Sequence, residues 1–385
     1  MRICVIFPLD LTSDEGPHRV VRALIREWQK SGNEITVVTG RRQKAELPGV
    51  LYNYRKVNMF LYRILRFFVW LPVSRRELGK FDVVIDEGHT LPLLLIRKLL
   101  DGPPVYFHSH QNLYLFDSFN SSPVFSRIRS FFLDCLAVKL SSWVIAVSEM
   151  HKKSLAALYG NEFKNRVIQN GVTLSEFRSN GSRRANFALF VGNMRVHLKS
   201  KGIPTLLKAF SLLAKSLDDC GLVVAGKPNS ALDSISRDLG IDGRVHYAGL
   251  LDRQRLVEYY NRARVLVLPS IMDADPLVVK EAMACGTPVI VSKGVGSSDL
   301  IGAARAGMIF PVGDYLALYS RLVAVMSDEK LASELGNNGH SYAEARLGWD
   351  KIAKAYLDMF LARTQPAQMS QPLIMVAKRE YIVPA

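Results

Sequence analysis

The sequence lacks the features that assign a chain to several common protein classes. No run of about 18 uncharged apolar residues occurs, so no transmembrane helix is expected. The apolar run at residues 3–7 is too short for a secretory signal and is predicted to be a buried strand. Cysteines are few and form no CxxC or Cys/His cluster. This predicts buried thiols of a reducing compartment, with neither disulfides nor zinc, at Cys4, Cys135, Cys220 and Cys285.

Acidic side chains are also scarce relative to basic ones. The chain of 385 residues carries 50 Lys and Arg against 35 Asp and Glu, a formal net charge of +15. A positive field of this size favours an anionic partner, such as a nucleic acid, an acidic membrane surface or a phosphorylated small molecule. Hydrophobic residues make up 49% and charged residues 22%, which is typical of a globular protein and excludes a disordered or collagen-like chain.

Short apolar runs alternate with segments of helical periodicity along the chain. The runs are continuous in Val, Ile and Leu, which is typical of parallel strands buried on both faces. The helical segments between them predict an α/β fold with right-handed crossovers. Five strands are predicted in each half of the chain, at residues 3–7, 34–39, 83–86, 105–108 and 143–148, and at 187–192, 221–225, 244–248, 265–269 and 288–292.

A polar stretch at residues 177–184 separates the two halves. It contains Gly, Ser, Asn and Arg, and we expect it to contribute nothing to a core. Two open parallel sheets that face each other bind ligands in the cleft at the carboxyl ends of their strands. The predicted units are a first domain over 1–176, a second over 185–345, a segment over 346–363 with a helix at 349–362, and a tail over 364–385.

The segment 269–290 holds the strongest functional signal. A strand is predicted to end at Pro269 and a helix to begin near Pro276, because proline is favoured at a first helical position. The backbone N–H groups of Leu277 and Val278 would then point into the cleft, with the helix dipole behind them. Such a helix start is an anion site that suits a phosphate group.

Two carboxylates accompany this helix start. Glu281 lies one turn further along, where it would accept hydrogen bonds from ribose hydroxyls, and Asp273 lies in the loop, where it would accept them from a sugar. Asp273 and Asp275 also have the spacing of a metal-binding pair, but two carboxylates are few ligands and we predict no metal site. We reject a glycosidase pair, because Asp273 and Glu281 flank a helix start rather than opposite faces of a sugar ring.

The same segment resembles the E-x7-E region of the family-four retaining glycosyltransferases, which have the glycosyltransferase-B fold. Asp273 and Glu281 are eight positions apart, as the motif requires, and residues 281–290 read EAMACGTPVI, its usual continuation. The resemblance extends to about residue 362 and is strongest over 165–315. Further matching pieces occur in the right order: Gly16, His110, the hinge segment 167–172, the strand end 190–192, and Lys201-Gly202.

The resemblance implies an architecture and a set of roles. The architecture is two Rossmann-like parallel-sheet domains facing across a cleft, with the helix at 349–362 crossing back to the first domain. The donor would be a nucleoside-diphosphate sugar, used without cofactor or metal and with retention of the anomeric configuration. Glu281 would bind the ribose, Asp273 would contact the donor sugar, and His110 would be the active-site histidine, with His108 as the alternative. Lys201 and Arg195 would neutralise the leaving diphosphate beside Leu277 and Val278, and Gly16 would let the backbone approach a substrate closely.

Three positions depart from the family pattern. Asp273 replaces the first Glu of the motif, Asn193 follows Gly192 where the family has Arg, and Thr173 stands where Asp is usual. These departures leave open a catalytically silent homologue that acts as a membrane-bound partner. An epimerase of sugar nucleotides or a phosphorylase-like enzyme of the same fold is also open.

A basic, aromatic stretch at residues 52–76 contains no acid. Apolar residues recur there at helical spacing with arginines between them, which is typical of a helix in a membrane interface. We predict contact with the anionic inner face of the cytoplasmic membrane; the alternative is a core helix with snorkelling arginines. Nucleic acid is not expected, because no nucleic-acid motif accompanies the stretch. Its cations are Arg55, Lys56, Arg63, Arg66, Arg75 and Arg76.

The sequence as a whole predicts a retaining glycosyltransferase that moves a sugar from a nucleoside diphosphate to a glycan or lipid-linked acceptor. The expected setting is bacterial envelope polysaccharide or lipopolysaccharide assembly. Taken singly, Glu281, Lys201 and His110 are equally compatible with structural roles. The prediction depends on their occurring together, in the order and spacing of the family's motifs.

Overall fold

Two parallel sheets organise the chain, which confirms the predicted α/β fold. The structure is a computed structural model that describes residues 1–7, 11, 13, 15–39, 47–54, 79–87, 102–110, 124–193, 199–227 and 231–362. The first sheet has seven strands in the order β3-β2-β1-β4-β5-β6-β7, and the second has six in the order β10-β9-β8-β11-β12-β13. This is the doubly wound arrangement that two Rossmann-like domains require.

All ten predicted strands occur, with ends within two residues of those expected. Their Val, Ile and Leu side chains are buried, as strands covered by helices on both faces require. The strands of the first sheet are β1 (Arg2–Ile6), β2 (Glu34–Thr39), β3 (Leu51–Tyr54), β4 (Val83–Asp86), β5 (Val105–Ser109), β6 (Trp143–Ala146) and β7 (Asn165–Val167). Those of the second are β8 (Phe187–Val191), β9 (Gly221–Ala225), β10 (Val245–Gly249), β11 (Val265–Leu268), β12 (Val289–Ser292) and β13 (Gly307–Phe310).

Strands β3, β7 and β13 were not predicted from the sequence, and each of them lies at the edge of a sheet. An edge strand has a neighbour on one side only and is therefore short and half exposed. Strand β7 reads Asn-Arg-Val and is only partly buried throughout, and β13 begins with glycine. Neither has the continuous apolar run that identified the central strands.

In the described part of the chain, helices connect most of the strands and pack against the two sheets. Several begin at a residue whose side chain accepts a hydrogen bond from the first turn, including Ser148, Asp252, Asp314 and Asp328. The helices are α1 (Gly16–Lys30), α2 (Val124–Leu140), α3 (Glu149–Tyr159), α4 (Ile203–Ser216), α5 (Ala231–Asp238), α6 (Arg253–Arg262), α7 (Leu277–Ala284), α8 (Ser298–Ala304), α9 (Tyr315–Ser327), α10 (Glu329–Arg346) and α11 (Trp349–Leu361).

Helix α11 follows the second domain in the chain but lies in the core of the first. Its apolar residues recur every three or four positions and pack against α1 beside β1 and β2. The Trp28 ring lies 5.7 Å from the Tyr356 ring and 6.1 Å from the Phe360 ring. The indole N–H of Trp28 also donates to the Ala353 carbonyl at 3.3 Å. The helix therefore ties the end of the second domain to the first.

The polar stretch at 177–184 is anchored in the second domain. Phe177 is buried in its core, with its ring 6.0 Å from that of Tyr260. The Arg184 guanidinium donates to the carbonyls of Cys285 and Gly286 at 2.9 and 2.6 Å. This differs from the expectation that the stretch contributes nothing to a core. The Phe177 ring and the Arg184 guanidinium, at the two ends of the stretch, hold it against the second domain.

Each sheet has a point where the strand order reverses, between β1 and β4 and between β8 and β11. Connections leave in opposite directions there, so the carboxyl ends of the two strands open a crevice that binds ligands in folds of this kind. The loops after β8 and β11 carry Lys201 and Asp273. Glu87 directly follows β4, and His110 directly follows β5.

The four cysteines are free, as expected. Cys4, Cys220 and Cys285 are buried, but Cys135 on α2 is partly exposed, so the prediction of four buried thiols is wrong at that position. Burial raises the pKa of both Cys4 and Cys285 to about 12. Among the described residues, no helix combines the length and apolar character needed to span a bilayer.

Candidate active site

Glu281 is a buried carboxylate at the domain interface. It lies in the second turn of α7 and is 1% exposed. The Tyr260 hydroxyl donates to its Oε2 at 2.9 Å, and the Arg19 guanidinium from α1 of the first domain pairs with its Oε1. Burial first, and then the charge of Glu281, raise the pKa of Tyr260 well above its ordinary value, so its hydroxyl stays a donor.

A crevice between the domains leads to Glu281. Its charged lining residues are four arginines, Arg19, Arg22, Arg26 and Arg253, and two acids, Glu281 and Glu176, the latter paired with Arg253. Hinge residue Gly171 lies beneath it, where a Cβ would come within 2.8 Å of the Trp349 ring. The arginines outnumber the acids, so the crevice has a positive lining.

Helix α7 begins at Leu277, immediately after Pro276, which has φ −68° and ψ 129°. Proline has no polar side chain that could cap the first amide groups. Leu277 and Val278 are both half-buried, and the Leu277 side chain packs against the core of the first domain. The first turn of α7 therefore lies where the two domains meet, as the sequence predicted for the anion site.

Lys201 and Asp273 form an ion pair at the reversal point of the second sheet. They belong to the loops after β8 and β11, which are also joined by the Ile271 N–H donating to the Ser200 carbonyl at 2.8 Å. Gly202 has φ +68°, and a Cβ there would lie 1.9 Å from the Pro269 carbonyl oxygen. Glycine at 202 thus allows the two loops to meet and brings the ammonium to the carboxylate.

A buried ion pair fixes the base of the same loop. The carboxylate of Asp275 pairs with the Lys280 ammonium and accepts from the Ser297 hydroxyl at 2.7 Å. The Asn170 N–H from the hinge donates to its other oxygen at 2.7 Å. Asp273 and Asp275 are therefore each neutralised by a lysine rather than arranged around a common cation.

The first domain contributes a cluster of two histidines around one carboxylate. Glu87 follows β4 directly, and His108 and His110 lie at the end of the neighbouring strand β5. Glu87 Oε1 lies 2.9 Å from His108 Nδ1, and Oε2 lies 2.7 Å from His110 Nε2. Burial would raise the pKa of Glu87, but the charges and hydrogen bonds of the two histidines outweigh it and lower the pKa to about 2.

This cluster is also where the described residues could hold a metal ion. One ligand atom each from Glu87, His108 and His110 lies within 4.8 Å of the others. Both carboxylate oxygens are already engaged by imidazole nitrogens at hydrogen-bonding distance. The donor set is satisfied as a hydrogen-bonded network.

The predictions for Gly16 and Arg195 are treated differently by the structure, which describes Gly16 and not Arg195. Gly16 is the first residue of α1, and a Cβ there would meet no atom of the described residues within 4 Å, so none of these contacts requires glycine at this position. Arg195 lies in 194–198, outside the described residues, as does most of the basic stretch 52–76. Leu277 and Glu281 line the crevice, Lys201 pairs with Asp273 in the loop that leads into α7, and His110 lies in the first domain.

Two family models match the two halves of the chain. Glycosyltransferase Family 4 matches residues 15–176, and Glycosyl transferases group 1 matches residues 174–342. The chain belongs to the family-four glycosyltransferases. The predicted family is confirmed, and both walls of the cleft fall within the matched residues.

Other family members and solved structures agree with this assignment. An uncharacterized glycosyltransferase of Methanocaldococcus jannaschii is 28% identical over 246 residues, which are 59% of this chain and 62% of that protein. A sucrose-phosphate synthase from Thermosynechococcus elongatus has a TM-score of 0.79 at 20% identity, covering 94% of this chain and 99% of that one. Anabaena HepE in complex with UDP and glucose has a TM-score of 0.73 at 14% identity, covering 94% and 100%. These structures show the glycosyltransferase-B fold.

Several partners of the site residues in this family-four member were not predicted from the sequence. Glu87 could have been found, because an acid directly after a buried strand lies at the cleft edge as His110 does. Lys280 could also have been found, because a lysine inside the apolar helix segment LVVKEAMA needs a buried acid. No sequence signal placed Arg19 opposite Glu281, since that contact depends on how the two domains sit.

Proposed function

We propose that the protein is a retaining glycosyltransferase that transfers a sugar from a nucleoside-diphosphate sugar to a glycan or lipid-linked acceptor. The observation that supports the proposal is the Lys201–Asp273 ion pair at the reversal point of the second sheet, in the loop that leads into α7 and Glu281. Open α/β sheets bind their ligands at this place. The proposal assigns His110 to the first-domain side of the cleft.

The residue types match the charge that develops in such a transfer. The leaving group is a nucleoside diphosphate, and the Lys201 ammonium with the first amides of α7 would stabilise its oxygens. Glu281 would accept hydrogen bonds from the ribose hydroxyls. Asp273 pairs with Lys201 in this structure, so the arriving diphosphate would compete with Asp273 for the ammonium and release that carboxylate toward the sugar.

The proposed transfer retains the anomeric configuration. The bond from the anomeric carbon to the phosphate oxygen breaks, and the acceptor oxygen bonds to that carbon on the same face. The acceptor proton passes to the leaving phosphate. No metal or cofactor enters the proposal, because cations and amides of the chain meet the charge. The resemblance of residues 273–290 to the retaining family supports this outcome.

A donor screen tests the proposal. Purified protein is incubated with UDP-, GDP- and dTDP-sugars without acceptor, and the free nucleoside diphosphate is measured. We expect one donor class to be hydrolysed slowly, and Lys201→Ala and Glu281→Gln to lose at least about 10-fold of that rate. Lys354→Ala, an exposed change on α11, is the matched control. Consumption of no donor would favour the silent homologue, and a changed sugar that stays nucleotide-linked would favour an epimerase.

We also propose that the first domain contacts an anionic membrane surface that carries the acceptor. Besides the stretch 52–76, helix α2 presents an apolar face to solvent. Val124, Phe125, Ile128 and Phe132 are 66, 72, 50 and 50% exposed. Exposed aromatic and aliphatic residues on one helix face are typical of an interaction site.

The charge and position of α2 support this partner. Residues 124–167 carry seven Lys and Arg against three Asp and Glu, and one of the acids, Asp134, is buried. In a parallel crossover the helix runs back along the sheet, so its first turn lies at the edge where β5 ends. Phe125 therefore lies toward the same edge as His110, where a lipid-linked acceptor would have to arrive.

Flotation with vesicles that contain phosphatidylglycerol tests this contact. We expect binding that weakens with salt and is reduced by Phe125→Ser with Phe132→Ser, and separately by Arg63→Ser with Arg66→Ser. Leu250→Ser, an equally exposed apolar site on the second domain, is the matched control. Equal flotation of all variants, or no flotation at low salt, would contradict the proposal.

A further inference from the structure

A chain of four polar side chains connects the crossover helix to His110. The Tyr356 hydroxyl on α11 lies 2.9 Å from His108 Nε2, and His108 Nδ1 lies 2.9 Å from Glu87 Oε1. Glu87 Oε2 then lies 2.7 Å from His110 Nε2. Tyr356, His108 and Glu87 are almost fully buried, while His110 at the far end keeps 13% of its side chain exposed. This series of hydrogen-bonded side chains therefore runs from the buried helix α11 to the partly exposed His110.

The chemistry of these four side chains determines which of their nitrogen and oxygen atoms carry hydrogen. The Glu87 carboxylate is ionised and accepts only, so the two imidazole nitrogens that face it, on His108 and His110, must both carry hydrogen. His108 then presents Nε2 to Tyr356. Burial, followed by the charges of Glu87 and Asp275, raises the pKa of Tyr356, so its hydroxyl keeps the proton that it donates to Nε2.

We propose that Glu87 is a positioning residue that fixes His110 with its proton on Nε2, and that Tyr356 holds this arrangement in place from α11. A neutral His110 with hydrogen on Nε2 carries its lone pair on Nδ1. The role of His110 at the reacting centre rests on the proposed function. The tautomer rests only on the contacts with Glu87.

The position of Tyr356 gives the network a second consequence. Helix α11 joins the end of the second domain to the core of the first, and its Tyr356 ring also packs edge-on against His108 at 5.5 Å. The docking of α11 and the orientation of His110 are therefore set by the same contacts. Displacing α11 would break the contact between Tyr356 and His108, at the buried end of this hydrogen-bonded series.

The other titratable groups near the histidines do not replace Glu87. His151 on α3 faces both of them and contacts the Ser109 hydroxyl at 2.8 Å. Burial, and then the charges of His110 and His108, lower the pKa of His151 to about 3, so it is neutral and supplies no charge. Asp275 lies on the Tyr356 side and is paired with Lys280.

Nitrogen-15 NMR of the full chain labelled at histidine tests the proposal without needing activity. Long-range proton–nitrogen correlations distinguish hydrogen on Nε2 from hydrogen on Nδ1, and His110→Gln assigns the signals. We expect the Nε2–H form at His110 in the wild type and its loss, as a mixture of tautomers, in Glu87→Gln. Tyr356→Phe should shift the His108 and His110 signals, whereas Tyr315→Phe, a change on α9, should leave both unchanged.

Turnover adds a second readout. We expect Glu87→Gln to lower kcat about 100-fold with little change in the KM of the donor, because the affected group acts on proton transfer. An unchanged His110 signal in both Glu87→Gln and Tyr356→Phe would overturn the proposal. Tyr356→Phe removes one oxygen, so it stays informative if Glu87→Gln does not fold. Absence of donor turnover in the wild type would instead contradict the proposed function, and the NMR result would still decide this inference.

Discussion

Arg19 of the first domain forms an ion pair with Glu281 of the second, directly across the cleft. Glu281 is the residue to which the proposed function assigns the ribose, and its side chain is 2% exposed. A buried carboxylate needs partners, and here one partner comes from the opposite domain. The contact therefore links the closure of the two domains to the state of the donor site.

Replacing Arg19 should weaken donor use. Arg19→Met leaves Glu281 with the Tyr260 hydroxyl as its partner among the contacts described above and removes a charge-assisted bond across the cleft. We expect kcat/KM for the donor to fall at least about 10-fold, since such bonds are worth about 1.5–3 kcal/mol. Steady-state kinetics measure the change, with the exposed Lys30→Met on the same helix as control. Equal loss in both variants, or none in Arg19→Met, would contradict a role for this pair.

Breaking the buried Lys280–Asp275 pair should cost stability. Lys280→Met leaves a buried carboxylate without its cation, which typically costs about 3–5 kcal/mol. Urea denaturation measures the free energy of unfolding. The matched control is Lys354→Met, which removes a pair with Asp358 on the surface and should cost less than about 1 kcal/mol. The double change Asp275→Asn with Lys280→Met should recover part of the loss, and no recovery would argue against an unpaired charge as the cause.

Gly16 should matter for ligand binding and not for folding. Within the described part of the chain, a Cβ at this position meets no atom within 4 Å. We therefore expect Gly16→Val to leave the thermal midpoint of unfolding nearly unchanged while it raises the donor or acceptor KM, because a substrate would meet the new side chain. Gly202→Val is the contrasting change, since its Cβ would collide with the Pro269 carbonyl and must destabilise the fold. Unaltered kinetics in Gly16→Val would remove Gly16 from the site.

Stability should fall in mild acid because of His151. Its pKa is about 3 in the folded protein and about 6.5 in the unfolded chain, so the unfolded chain binds the extra proton between these values. The contribution of His151 is fully present above pH 6.5 and is lost as the pH falls toward 3. Between pH 6 and 4.5, His151→Gln should lessen the pH dependence of unfolding free energy by about 1.4 kcal/mol per pH unit. His246→Gln, at an exposed position, should keep the wild-type dependence.

The central strands were predictable because burial on both faces imposes a composition. Strand β11 reads Val-Leu-Val-Leu and β12 reads Val-Ile-Val-Ser, which few other structures explain. The edge strand β7 carries no such constraint, and its three residues pair with β6 through backbone groups alone. Backbone pairing leaves no trace in side-chain type, so this strand could not be inferred.

The candidate site also contains features that the sequence predicted and features that it did not. Glu281 and the start of α7 could be placed because their motif is local and their helix begins after a proline. The pairing of Lys201 with Asp273 was missed, although both residues were predicted, because it depends on two loops meeting over Gly202. The contact of Tyr356 with His108 joins residues that are 248 positions apart, and only the path of α11 brings them together.

The central claim is that a nucleoside diphosphate binds between Lys201 and the first turn of α7, with its ribose on Glu281. Isothermal titration calorimetry with UDP, GDP and dTDP measures this directly in the wild type, Lys201→Ala and Glu281→Gln, with Lys354→Ala as the matched control. The account predicts that one nucleotide binds the wild type and the control alike, and binds each site variant at least about 10-fold more weakly. Equal affinity in all four proteins, or no binding to any of them, would contradict it.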